Sequence, residues 1–231
     1  MRGPGSVTRE GYYCFMIRFA TTALLLLIAG CAGSNPDTGF KPLFDGRTLD
    51  GWTGDTSGYT VKDGELTARV PETDESLGNL YTEDEYGNFI LRFEFRLSPG
   101  ANNGLGIRAP LTGDAAYEGI ELQIIDNEHE QWANLRPWQY HGSAYGIAAA
   151  KRGHQLPAGE WNRQQVTVDG RRVEVVLNGH VILDIDLDEV TENGTVDGSE
   201  HPGLKRERGH IGFLGHGYEV SFRNIELKRL P

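Results

Sequence analysis

Residues 89–97 read FILRFEFRL. In an extended chain Phe89, Leu91, Phe93, Phe95 and Leu97 share one face, and Arg92, Glu94 and Arg96 share the other. That alternation predicts a half-buried antiparallel strand, and the same pattern recurs along the chain. Residues 119–126 (GIELQIID) set Ile120, Leu122 and Ile124 against Glu121 and Gln123. Residues 172–186 read as a hairpin: Val173, Val175 and Leu177 run out to Asn178-Gly179, and Val181, Leu183 and Ile185 return. Asn-Gly suits a two-residue turn because both positions need φ > 0. Residues 210–214 and 219–227 close the chain, the second with Val220, Phe222, Ile225 and Leu227 as its inward set. Helix signals are scarce, and 31 glycines against 2 methionines fit many tight turns. Short strands broken by Gly-rich turns predict an all-β sandwich or jelly roll of two antiparallel sheets. The longest irregular stretch, 127–150, has room for a helical turn; long loops in compact domains are usually functional.

The first 30 residues read as an export signal. Residues 19–30 (FATTALLLLIAG) form an apolar run of 12 residues behind Arg18, too short for a bilayer span of about 20. Met16 is the expected start of that signal, with residues 1–15 only a polar preface. The run ends Leu27-Ile28-Ala29-Gly30-Cys31, which resembles a lipobox and implies cleavage before Cys31 and lipid attachment to it. Residues 31–39 then form the lipidated cysteine and tether, and 40–231 the domain. The expected location is the bacterial cell envelope, on an outer-membrane anchor facing the periplasm or the surface. The other cysteine, Cys14, precedes the run, so the mature domain has no pair to oxidise. The formal charge of −11 deepens when Arg2, Arg9, Arg18 and Glu10 leave with the signal. Such a surface repels phosphate backbones, which makes nucleic acid an unsuitable partner. The membrane is expected to be reached through the lipid anchor only.

Eight segments in order resemble the 3-keto-disaccharide hydrolase domain family. They are residues 40–52 (FKPLFDGRTLDGW), 59–66 (YTVKDGEL), 102–108 (NNGLGIR), 117–126 (YEGIELQIID), 137–146 (PWQYHGSAYG), 159–162 (GEWN), 201–217 and 222–225 (FRNI). The resemblance implies a concanavalin A-like jelly roll and cleavage of glycosides whose sugar carries a ketone at C3. An oligosaccharide or glycoside is the implied partner.

Within the strand at 119–126, Glu121 and Gln123 lie roughly 6.6 Å apart on one face. Regular alternation sends Asp126 to the other face, and a bulge between Gln123 and Asp126 would return it. The segment resembles the E-x-D-x-x-E strand of laminarinase-type glucanases, with Gln123 in place of the central acid, which argues against a plain retaining double displacement. A C3 ketone acidifies the C2 hydrogen instead and opens a β-elimination route. That route needs a base, an acid and a donor at the developing oxyanion. Glu121 is the candidate base and Asp126 the acid or a metal ligand. His141, His201 and His216 are candidates for the remaining proton transfer, and Arg108 or Lys205 for the enolate oxygen. Asn103 and Gln123 are candidate substrate contacts, with Trp138, Tyr140 and Tyr145 as the aromatic surface for the sugar. Trp52 and Trp161 are expected in the core, while Trp132 fits either setting. A divalent metal is left open, since the histidines lack zinc spacing and no loop has a recognisable calcium pattern. Two other readings compete with the enzyme: a lectin-like carbohydrate-binding module, and an envelope interaction protein with a degenerate site.

Overall fold

The computed structural model describes residues 39–71 and 78–231. The expected signal, Cys31 and the tether before residue 39 lie outside the described residues. Thirteen strands are described: β1 (Lys41–Pro42), β2 (Trp52–Gly54), β3 (Tyr59–Lys62), β4 (Glu65–Ala68), β5 (Leu80–Thr82), β6 (Phe89–Leu97), β7 (Asn102–Ala109), β8 (Ile120–Ile125), β9 (Asn162–Asp169), β10 (Arg172–Leu177), β11 (His180–Asp186), β12 (His210–Gly215) and β13 (Val220–Arg229). One sheet runs β11-β10-β9-β6-β13-β4-β3, with β1 on β13, and the other runs β2-β5-β12-β7-β8. Two short helices, α1 (Ala115–Glu118) and α2 (Leu187–Val190), and a few 3₁₀ turns complete the described chain. Among the described residues no helix is long and apolar enough to cross a membrane.

The predicted alternation sets the core. Phe89, Leu91, Phe93, Phe95 and Leu97 of β6 are all buried against the facing sheet. Phe213 of β12 is the meeting point of the two sheets: it stacks on Phe222 of β13 at 3.8 Å, meets Phe93 edge-on at 5.9 Å and stacks on Trp52 at 5.8 Å. Each such ring contributes about 1.5–3 kcal/mol by leaving water. The hairpin forms between β10 and β11, with Asn178 and Gly179 both at positive φ, but the pairing shifts register between Val175 and Val176, so Ile182 is buried beside Leu183 and Val181, expected inward, is exposed. In β13 the inward residues Phe222 and Ile225 are three apart, which a regular strand does not allow. The extra residue is Asn224, at φ 51°, where the pairing with β6 shifts register.

Two further expectations are corrected. Trp161 is only half-buried: it lies outside the core, under the guanidinium groups of Arg96 and Arg223 at 4.6 and 4.0 Å. And β8 pairs with β7 in unbroken register from Ile107–Ile120 to Asn102–Ile125, so no bulge turns Asp126 back to the Glu121 face.

Candidate active site

β8 is the edge of the five-stranded sheet, and its free side is covered by the long loop. Gln123 N–H donates to Ser143 O at 2.9 Å, Gly142 N–H to Gln123 O at 2.7 Å, and Tyr145 N–H to Glu121 O at 2.9 Å. The loop thus continues the sheet, which removes an exposed edge and stands its side chains over the outer face of β8. Ile120, Leu122 and Ile124 face the core. Glu121, Gln123 and Ile125 face outward into a cleft of about 250 Å³.

Asn102 of β7 lies on the same floor, while Asp114, Ala116 and Tyr117 of the α1 turn form one wall. Trp132, Leu135, Gln139 and Tyr145 of the loop form the other, and His216, just past β12, completes the rim. Among the described residues no lysine or arginine lines this cleft. Asp114 starts α1 by accepting from Ala116 N–H at 3.0 Å, which fixes the turn that carries Tyr117.

Glu121 is 5% exposed and lies flat over β7. The space it occupies is left by Gly104: a Cβ there would sit on Glu121 Oε1. His216 Nε2 stands 3.9 Å from Oε1 and its side chain is 44% exposed, so a buried carboxylate faces a solvent-reaching imidazole. Glu121 Oε1, Gln123 Oε1 and Asn102 Oδ1 are buried with no hydrogen-bond donor among the described residues. Folded proteins rarely leave buried acceptors unpaired, at about 1–3 kcal/mol each. Three of them on one floor suit a ligand that brings hydroxyl donors.

The structure therefore gathers Glu121, Gln123, Tyr145 and His216 of the sequence candidates, with Trp138 packed edge-on against Tyr145 at 4.9 Å. It places the others elsewhere. Asp126, past the end of β8, accepts from Gly100 N–H at 2.9 Å and closes the β7 approach. His141 is in the core, stacked on Phe95 at 5.0 Å and bonded through Nε2 to Gln164 Oε1 at 2.9 Å. Burial pushes its pKa down to about 4, so it is a neutral packing residue at pH 7. Asn103 points into the sandwich with Leu105 and Ile107. Tyr140 is buried under Arg152, its hydroxyl donating to Trp132 O at 3.2 Å. Arg108, at φ 49°, turns away and donates to Gly170 O at 2.7 Å and Arg206 O at 3.2 Å. Lys205 is exposed at the end of a 3₁₀ turn, and no atom of it lines the cleft. His201 is buried behind the wall, bonded to Asp197 at 3.2 Å with its ring 4.7 Å from that of Tyr117.

Asn102, Asp114, Tyr117 and Gln139 are cleft residues that sequence reasoning did not single out. For Asn102 the signal was present: Leu105 and Ile107 fix the inward phase of β7, which assigns Asn103 to the core and Asn102 to the cleft. Tyr117 carries no comparable pattern, because a one-turn helix has no periodicity. Among the described residues no three His, Cys, Asp or Glu side chains gather as a metal site.

Comparison with known proteins agrees with this architecture. A 3-keto-disaccharide hydrolase of Bacteroides thetaiotaomicron is 27% identical over 229 residues, covering 83% of this chain and 79% of that protein. A Parabacteroides distasonis protein described as a glycosyl hydrolase superposes with a TM-score of 0.71 at 29% identity, covering 83% of this chain and 99% of its own. A Bacillus subtilis protein with a galectin-like fold, 14% identical, superposes at 0.54 over 79% of this chain and 92% of its own, and so shares the fold alone. Residues 39–228 match the model of the 3-keto-alpha-glucoside-1,2-lyase-like domain, and the chain belongs to that family.

Proposed function

We propose that the domain cleaves 3-keto glycosides or disaccharides by removing the C2 proton and expelling the group at C1. The observation that carries this reading is the buried carboxylate of Glu121, its Oε1 without a hydrogen-bond donor among the described residues, facing His216 in an open cleft. A C2 hydrogen beside a ketone is acidic enough for a positioned carboxylate to take. The C2–H pair becomes the C2=C3 bond and the carbonyl pair moves onto O3. When that pair returns, C3=O re-forms, C1=C2 forms and the C1–O bond breaks. His216, on the solvent side, supplies the proton to the leaving oxygen. Water adding its oxygen to C1 and a proton to C2 turns the elimination into net hydrolysis. The named activity of the Bacteroides relative supports the substrate class.

A lectin-like module with the same fold is the second reading. Half-buried aromatics at Tyr145 and Trp138 suit a sugar face and the unpaired acceptors suit its hydroxyls, but the imidazole of His216 set against Glu121 is an arrangement for moving protons, which binding does not need. The same proposal places the domain on a lipid anchor at Cys31, in the cell envelope. Incubating the chain with a 3-keto disaccharide and following the released sugar tests the reading. Turnover by the wild type and its loss in Glu121→Gln support it, whereas saturable binding without cleavage supports the module.

A further inference from the structure

The proposed elimination places negative charge on O3, yet the two cations first considered for it, Arg108 and Lys205, are outside the cleft. The neutral side chains of the cleft are the donors left to consider, and the phenols are the strongest of them. We infer that the phenol of Tyr145 is the catalytic donor that holds the enolate oxygen; this rests on the proposed function.

The hydroxyl of Tyr145 is oriented by a chain of hydrogen bonds. Arg136 N–H donates to Gln139 Oε1 at 3.0 Å. A backbone N–H requires an acceptor, so the oxygen of the Gln139 amide is fixed on that side and its NH₂ faces Tyr145. Gln139 Nε2 then donates to the Tyr145 hydroxyl oxygen at 3.4 Å. With its oxygen used as the acceptor, the phenol must point its own proton elsewhere, and it donates no hydrogen bond among the described residues. The ring is held edge-on by Trp138 at 4.9 Å and 87°. The backbone N–H of Tyr145 is bonded to the carbonyl of Glu121, so base and donor are placed by one strand pairing.

Trp132, His216 and Tyr117 are less suited. Trp132 Nε1 already donates to Gly100 O at 3.1 Å. His216 stands at Glu121 and is assigned to the leaving group. Tyr117 lines the same cleft, but its ring is packed on His201 and its surroundings include Asp114 and Asp197. A phenol oriented by a neighbour is also the kind of group that stabilises an enolate without transferring a proton. As O3 gains charge the Tyr145 hydrogen bond shortens and strengthens, and it relaxes when C3=O re-forms.

The test compares the full-length wild type, Tyr145→Phe and Tyr117→Phe on one 3-keto glycoside, with thermal melting recorded for each. The expected result is a fall in kcat of about 10²–10³-fold for Tyr145→Phe, a KM within threefold, unchanged melting, and a much smaller fall for Tyr117→Phe. A wild type that turns over while Tyr145→Phe keeps kcat within threefold overturns the Tyr145 assignment and leaves the proposed function standing. A large loss confined to Tyr117→Phe also overturns it. A wild type with no turnover overturns the proposed function and this inference together.

Discussion

Glu94 and Glu121 are two buried glutamates on two strands of one sandwich, 8% and 5% exposed, and their surroundings are opposite. Glu94 lies on the outer face of the larger sheet, where Arg163 Nε reaches Oε1 at 2.9 Å and Arg223 Nε reaches Oε2 at 2.7 Å. Burial works to raise its pKa, but the hydrogen bonds and charges of Arg223 and Arg163 outweigh burial and hold it below the ordinary carboxylate value. Glu121 has no arginine or lysine beside it, only the His216 imidazole at 3.9 Å, and its Oε1 accepts no hydrogen bond among the described residues. The fold commits the first carboxylate to holding strands together and leaves the second free for a ligand. Burial alone therefore does not distinguish the two carboxylates; their partners do, and only Glu121 fits the proposed role.

The largest effect that can break this contrast is Glu121→Gln. It keeps the shape and removes the base, so kcat should fall about 10²–10⁴-fold while the melting temperature does not fall. A steep loss of stability would show that Glu121 is structural after all. Gly104→Ala approaches the same carboxylate from beneath. The new methyl group displaces Glu121 Oε1, and a shift of about 1 Å in a reacting group costs roughly 10²-fold in turnover. Steady-state kinetics beside a melting curve separates that loss from unfolding.

A second contrast sets His141 against His216. His141, in the core, has its pKa lowered to about 4 from 6.5. Below pH 6.5 the unfolded chain binds a proton that the folded chain refuses until about pH 4. Stability is therefore complete above pH 6.5 and is lost as pH falls toward 4, by at most about 3 kcal/mol. Denaturant titrations at several pH values should show that loss in the wild type and a flatter profile in His141→Gln. The smallest effect belongs to Glu94→Ala. It should cost about 1–2 kcal/mol, reduced because Arg163 is well solvated, and should leave kcat unchanged. A turnover defect there would erase the distinction between the two glutamates.

The sandwich was legible in the sequence because its strands are half-buried, and a half-buried strand prints its inward face every second residue. Phe89 to Leu97, the Asn178-Gly179 turn and the Glu121/Gln123 face could all be read that way. The site was legible only where it sits on a strand. His141 lies in the long loop, where its backbone N–H is captured by Asn127 Oδ1 at 2.9 Å and its ring is tucked inward. No local pattern announces such a turn. Arg108 ends β7 in a left-handed conformation that reverses the direction its neighbours predict. Asp126 was tied to the site by a bulge that the unbroken β7–β8 register does not contain. Gln139 and Tyr117 enter through tertiary folding of short turns, which carry no period to read.

The central claim is that a base in this cleft takes the hydrogen from C2 before the glycosidic bond breaks. The most direct measurement is single-turnover cleavage of a 3-keto glycoside carrying either hydrogen or deuterium at C2. The account predicts that the deuterated substrate is cleaved more slowly, or loses its label to solvent before cleavage. Equal rates with the label retained at C2 would contradict it.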